Sequence, residues 1–351
     1  MILGWQVIVK KGEFNPGDYV VFIEPDAVLP ERPEFEFLRS KKFRIKTMKM
    51  GGVLSQGICF PLSVVPGYDE KAKNGVMPYS EGDDLTGIMG IRKVDEYEDE
   101  QSQSSSGKKN NWLADILFSY DLTRPLARLL FAKTKRDKKG FPDFVSKTDE
   151  TRIQTIPHIL LKKDIRFVGR EKIDGQSGTF ALKRIKSPIP FVKDKFDFIV
   201  CSRNLRLDIP DNSSYWSVAK LYNIKTVLFE LMREFDNPEW IAIQGECVAP
   251  NVQGNRYKVD RPDLYCFNLI LPSGKVPCVE AEKIVGKYGL KWVPMVVEDY
   301  RLPDTVNEVL DFATGKSVLA DTLREGIVFR NYEKGISFKA VSPDYLISHN
   351  E

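Results

Sequence analysis

The chain has almost no histidine: His158 and His349 are the only two in 351 residues. A His-based zinc site or a His-activated serine or cysteine nucleophile needs imidazole, so neither chemistry is expected. Cysteine is also sparse. Cys59, Cys201, Cys247, Cys266 and Cys278 show no CxxC spacing, and they read as reduced thiols of an intracellular, cytoplasmic protein. No run of eighteen apolar residues occurs, so no membrane span is expected. The opening "MILGWQVIVKKGEF" lacks the basic-then-apolar order of a signal peptide. The net charge of +3 is too small to require a polyanionic partner, though it permits local basic grooves. What remains is an ordinary globular composition, 42% hydrophobic and 29% charged, in a length that suits two domains.

Residues 1–66 read as β. "GWQVIVKKGEF" and "YVVFIEP" are strand-like, and "NPGD" between them is strong turn chemistry. In "FRIKTMKM" basic and apolar residues alternate with period two, which puts Arg44 and Lys46 on the face opposite the core. Short strands, glycine turns and a basic face suit a small barrel of the OB type, a common nucleic-acid module. A plain β-barrel with solvated lysines fits the same pattern. Residues 95–111, acidic then Ser/Gln-rich then basic, read as a linker. Residues 111–136 look helical with a break near Pro125, and Ser146 or Thr148 is positioned to cap a further helix running through "RIQTIPHILLKK". From 164 to 341 strands and helices mix in α+β fashion. The expected domains are 1–95, a linker with a helical segment at 96–146, and 147–351.

The stretch "GREKIDGQSG" (169–178) sets Lys172 two positions before Asp174, with Glu171 beside it. Alone, this reads as a surface hairpin with an ion pair. Five more segments follow in order: "CSRN" with Arg203 and Asn204, "QGEC" with Glu246, "YCFNL" with Phe267, and then "REGIVFR" and "ISFKAVS" with Glu325 and Lys339. Each has an ordinary reading as a solvated charge or a core aromatic. Together they make chemical sense. A lysine near its reference pKa of about 10.4 is mostly protonated at neutral pH, and neighbouring cations or a metal would favour the neutral amine. Asp174, Glu246 and Glu325 are hard oxygen donors for a divalent cation, directly or through water. Lys339 can neutralise phosphate charge. Positioning and electrostatics dominate phosphoryl-type transfer, which suits a chain with so little histidine.

These segments resemble the motifs of the covalent nucleotidyltransferases, that is, the ATP-dependent DNA and RNA ligases and the mRNA capping enzymes. "EKIDG" is similar to their motif I, "SRN" to Ia, "QGEC" to III, "YCFNL" to IIIa, "REGIVFR" to IV and "ISFKAVS" to V. DNA ligases usually carry arginine where this chain has Ser177. DNA ligases and capping enzymes also carry an OB domain after motif V, whereas twelve residues follow Lys339 here. The basic β module instead precedes the motifs. That layout, with "LSQGICFPL" and "KTDETRIQ", resembles the RNA ligases with an N-terminal OB domain known from an amoeba and a radiation-resistant bacterium.

The resemblance implies an α+β fold: an OB-type barrel, then an ATP-grasp-like nucleotidyltransferase domain of antiparallel sheets and helices. The start at "MILGWQ" looks like an internal strand, so the barrel is either incomplete or begins from a misassigned start. The implied activity is ATP-dependent sealing of 3′-OH/5′-phosphate RNA nicks by a monomer through lysyl-AMP. Lys172 would be the nucleophile. Glu171, Asp174, Arg203, Asn204, Glu246, Phe267, Glu325 and Lys339 would bind the nucleotide, with Phe267 stacking on adenine. Asp174, Glu246 and Glu325 would organise manganese or magnesium, and Arg44 and Lys46 would contact nucleic-acid phosphates. Motif V is often K-x-K; here Ser337 replaces the first lysine. The alternatives are another polynucleotide ligase, acting on DNA or DNA/RNA hybrids, and a non-catalytic RNA-binding protein on a ligase scaffold.

Overall fold

The computed structural model describes residues 1–72, 77–94, 97, 140–187, 189, 191–207 and 213–349. Most of the expected linker at 95–111 and all of the expected helical segment at 111–136 lie outside the described residues. Among the described residues no helix is long and apolar enough to cross a membrane.

The N-terminal part is built from short strands. β1 (Val21–Ile23) pairs with β5 (Ile58–Phe60), β2 (Ala27–Val28) with β6 (Arg92–Lys93), and β3 (Thr47–Met50) with β4 (Val53–Gln56), all antiparallel. These are three separate two-stranded sheets, so the described strands form no closed barrel. The reason is local. Residues Pro33–Lys41 form a 3₁₀ helix, and Lys42 and Phe43 after it have positive φ, which interrupts any long strand. The first expected strand is irregular from Gln6 onward, tied to β4 by Gln56 N–H donating to Gln6 O (2.7 Å) and Ile8 N–H to Ser55 Oγ (3.0 Å). The "NPGD" turn closes as its residues dictate, with Asp18 N–H on Asn15 O at 3.1 Å. The period-two reading also holds. Phe43, Ile45 and Thr47 are buried while Arg44 and Lys46 are only partly so. Val21, Ile23, Phe35, Leu38, Met89 and their neighbours form the core of this part.

The larger part contains two antiparallel sheets. One has the order β14 (Met295–Arg301), β7 (Arg166–Lys172), β15 (Gly326–Asn331), β16 (Ile336–Val341). The other runs β12 (Gly274–Lys275), β11 (Asp263–Leu271), β10 (Trp240–Val248), β8 (Gln176–Ile185), β9 (Lys195–Cys201), with β13 (Lys291–Trp292) added in parallel to β11. The hairpin reading of "KIDGQ" is overturned here: β7 and β8 do not pair. They belong to different sheets, and Ile173–Gly175 is the crossing between them.

Apolar periodicity then covers the faces. Helices Ser214–Leu221, Ile224–Glu234 and Cys278–Gly286 pack on the six-stranded sheet over Phe180, Leu182, Ile241, Ile243 and Leu269. Helix Val306–Ala313 covers the four-stranded sheet over Phe167, Phe329 and Phe338. A capping box, with Thr305 and Glu308 bonding reciprocally, starts that helix. Each fully buried Leu, Ile or Phe contributes about 1.5–3 kcal/mol, so these faces hold the sheet junction rigid. Gly326 is required at that junction: a Cβ there would lie 2.2 Å from Ala340 O.

The helix expected after Ser146 and Thr148 is absent. The chain forms two 3₁₀ turns, Ile153–Thr155 and Pro157–Leu161, because Pro157 pushes Ile156 out of the helical region (φ −124°, ψ 49°). Thr148 Oγ1 bonds Ser177 Oγ at 2.6 Å, and Ser146 O accepts from Gln244 Nε2 at 2.8 Å. This segment ties the two parts together. Arg152 pairs with Asp26, Thr155 donates to Glu24 at 3.0 Å, and Gly4 N–H donates to Gln154 O at 2.9 Å. A Cβ on Gly4 would meet Gln154 Cα at 2.8 Å, so the close approach needs glycine.

Candidate active site

The two sheets and the N-terminal part enclose a cleft of about 1160 Å³. Strand geometry delivers the side chains to it. Lys172 ends β7 and pairs with Gly326 of β15, so Glu325 arrives beside it. Lys172 Nζ donates to Glu325 Oε1 at 2.6 Å. Glu246 lies on β10 opposite Ser177 of β8, and its Oε1 accepts from Gly175 N–H at 3.2 Å. Lys339 enters from β16, Arg203 and Asn204 from the turn after β9, and Phe267 from β11. Arg44 and Lys46 line the N-terminal wall.

Some expected residues are engaged otherwise. Alternation along β7 sends Glu171 away from Lys172, and its carboxylate accepts from Ser317 Oγ (2.5 Å) and Val318 N–H (2.8 Å). Burial raises its pKa. Asp174 Oδ2 accepts from Arg256 and from Tyr345 Oη (2.5 Å), and its backbone N–H donates to Tyr257 Oη at 2.8 Å. Asn204 Oδ1 accepts from Lys147 Nζ at 3.1 Å. Ser337 donates to Glu150, which also pairs with Arg330 at 2.8 Å. Asp149 pairs with Lys339 (3.1 Å) and Lys93 (2.8 Å). Arg256, Tyr345, Lys93 and Asp149 were not singled out from the sequence. Lys93 sits in a two-residue strand, Asp149 and Arg256 in irregular or turn segments and Tyr345 in the helix Pro343–His349, and only folding brings them against the candidate site residues.

The electrostatics are unbalanced around Lys172. Burial depresses its pKa, but Glu325, Glu246 and Asp174 outweigh it and raise the value above that of ordinary lysine. The expected like-charge activation of the amine is therefore not built into the protein alone. Lys339 is the complement: burial lowers its pKa, Asp149 opposes this, and Arg152 and Lys172 add to the lowering. Burial, with repulsion from Glu325 and Asp174, pushes Glu246 up to about 8 against the pull of Lys172.

A family model described as RNA ligase matches residues 165–341, which include the strands that carry Lys172, Glu246, Phe267 and Lys339. The chain belongs to the RNA ligase family. An OB-fold domain model matches residues 1–62, so the open N-terminal β part is an OB-fold domain preceding the ligase fold. Solved structures of Naegleria gruberi RNA ligase are similar over nearly the full length. A variant with ATP and Mn is 27% identical with a TM-score of 0.72, covering 99% of this chain and 92% of that one. The form with PPi is 28% identical with a TM-score of 0.71, covering 99% and 91%. Another variant, with AMP and Mn, is 26% identical with a TM-score of 0.70, covering 98% and 90%. A comparison with curated proteins finds no match.

The acidic side chains of this RNA ligase fit a hard divalent cation. Glu325 Oε2 is buried without a hydrogen-bond partner, and burial, with repulsion from Glu325 and Asp174, raises the pKa of Glu246, a carboxyl that a cation would relieve of that repulsion. Among the described residues no three His, Cys, Asp or Glu side chains stand together as direct ligands. One consequence is measurable without activity. Between the ordinary 4.5 and about 8, folded Glu246 keeps a proton that the unfolded chain has lost. Stability in chelator therefore falls as pH rises through that window. Thermal melts should show a decline from pH 5 to 8 that Glu246→Gln flattens. An unchanged slope in that variant would contradict the assignment.

Proposed function

We propose that the chain is an ATP-dependent RNA ligase that seals 3′-OH/5′-phosphate nicks through lysyl-AMP. The observation that carries this is Lys172 at the crossing of two sheets, against Glu325 and facing Glu246, Lys339 and Arg203 across one cleft. The Lys172 amine, once deprotonated, attacks the α-phosphorus of ATP. A phosphoramidate N–P bond forms and pyrophosphate leaves. The AMP then passes to an RNA 5′-phosphate, freeing Lys172. Finally the 3′-OH across the nick attacks that phosphate, the phosphodiester forms and AMP leaves.

In this reading Lys339 and Arg203 hold phosphate oxygens, and Phe267 supplies a stacking face for adenine. Asn204 adds a polar contact to the nucleotide. Glu246 and Glu325, with Asp174 behind them, organise manganese or magnesium, which when bound neutralises phosphate charge and lowers the proton affinity of the amine. Glu171 acts by holding the 317–318 strap beside the nucleotide pocket. Residues 1–95 form the nucleic-acid-binding domain and 147–351 the adenylyltransferase domain. Arg44 and Lys46 grip the duplex backbone, giving affinity without sequence preference. Ser177 stands where DNA ligases usually carry arginine and is bonded to Thr148, which favours RNA over DNA.

Incubation with α-labelled ATP and manganese, then denaturation, should leave label on the polypeptide. Addition of nicked duplexes should then give sealed product, faster with RNA than with DNA at the 3′-OH side. Absence of label would overturn the ligase reading. Equal sealing of both strands would favour a general polynucleotide ligase.

A further inference from the structure

Asp149 lies among cations inside the cleft. Its Oδ2 accepts from Lys93 Nζ at 2.8 Å and its Oδ1 from Lys339 Nζ at 3.1 Å, with Arg203 Nη2 at 3.9 Å. The three cations come from β6 of the N-terminal part, from β16 and from the turn after β9. Nothing in the chain order brings them together, and one carboxylate serves all three. Burial alone would raise the pKa of this carboxyl, yet Lys339 and Lys93 hold it well below the carboxylate range.

The adjacent Glu150 gives a contrast. Its pair with Arg330 is closed in, with side chains 16% and 12% exposed, whereas Asp149 is 45% exposed and Lys93 68%. Glu150 is thus a fixed structural anion, and Asp149 is an anion open to exchange with solvent and solutes.

We propose that Asp149 is a built-in counter-anion of the phosphate site. In the free protein it takes the place of a phosphate group among Lys93, Lys339 and Arg203, and an incoming polyphosphate exchanges with it. This rests on the reading of the cleft as a triphosphate site. The exchange has two effects. The cations stay aligned in the absence of ligand, where like charges would otherwise repel. It also weakens the hold on small phosphates, including the pyrophosphate that adenylylation releases, so that product departs.

The test is calorimetric titration of tripolyphosphate and of pyrophosphate, in chelator, into the wild type, Asp149→Asn, Asp149→Ser and Asp299→Asn. Asp299 pairs with Arg166 on β7, outside the cleft lining, and controls for net charge. Both Asp149 variants should bind tripolyphosphate about tenfold more tightly, a gain of about 1.4 kcal/mol, with Asp299→Asn unchanged. In adenylylation they should show a lower KM for ATP without a higher kcat, and stronger inhibition by pyrophosphate. Unchanged or weaker polyphosphate binding in folded Asp149 variants would overturn the proposal, because a merely structural role predicts that loss. Equal tightening in Asp299→Asn would overturn it too. Polyphosphate binding is measured without covalent labelling, so failure here and failure of the ligase reading are separate results.

Discussion

Lys172→Ala should abolish covalent labelling by α-labelled ATP, a loss of roughly 10⁴-fold or more. Lys339 is paired with Asp149 at 3.1 Å, whereas Lys172 is paired with Glu325 at 2.6 Å. The wild-type pH profile should carry the signature of this amine. Its pKa is raised by Glu325, Glu246 and Asp174 despite burial, so the amine is held in its protonated form at neutral pH. The labelling rate should therefore climb close to tenfold per pH unit from pH 6 to 9. Raising the divalent-cation concentration should move the curve to lower pH. The measurement is single-turnover labelling across pH; persistent label in Lys172→Ala, or a flat profile, would remove Lys172 from its role.

Glu325→Ala sets two effects against each other, and its sign is informative. Glu325 is the hydrogen-bonded partner of Lys172 at 2.6 Å, so its removal lowers the proton affinity of the amine. By that effect alone the variant would be faster. Glu325 also has a buried, unpartnered Oε2, and in the proposed reading loss of that oxygen weakens the hold on a divalent cation. The second effect should dominate, because the cation acts on the phosphate as well as on the amine. Labelling at fixed manganese should fall by on the order of 10²–10³-fold, with partial recovery at high manganese. Glu325→Gln keeps the volume and loses the charge, so it should resemble the alanine variant. A faster variant would mean that Glu325 only restrains Lys172 and that the cation is held elsewhere.

The chemistry was largely legible in the sequence because its residues sit on strands with strong local signals. Lys172, Glu246 and Lys339 lie in apolar β-runs, where the strand period fixes which way they point, and Glu325 immediately precedes one. The alternation that buried Phe43 and Ile45 and turned Arg44 and Lys46 outward was also read correctly. The expected helix from Ser146 or Thr148 through residue 163 failed because the helical pattern ran across Pro157, whose effect on Ile156 outweighed it. The OB barrel was expected closed or truncated; its described strands are too short and too interrupted to close.

The order of segments along the chain determined the family and marked out the candidate nucleophile and acidic set, since motif chemistry is local and carried by few residues. Only the tertiary structure decided how those groups are charged and paired. That "KIDG" joins two sheets rather than turning a hairpin follows from which strands find long-range partners. Arg256 and Tyr345 on Asp174, and Lys93 and Lys339 on Asp149, meet across 82 and 171, and 56 and 190, residues of sequence. Electrostatic energy depends on distance in space, which the sequence does not encode locally, so the favoured protonation of Lys172 could be seen only once the strands were assembled.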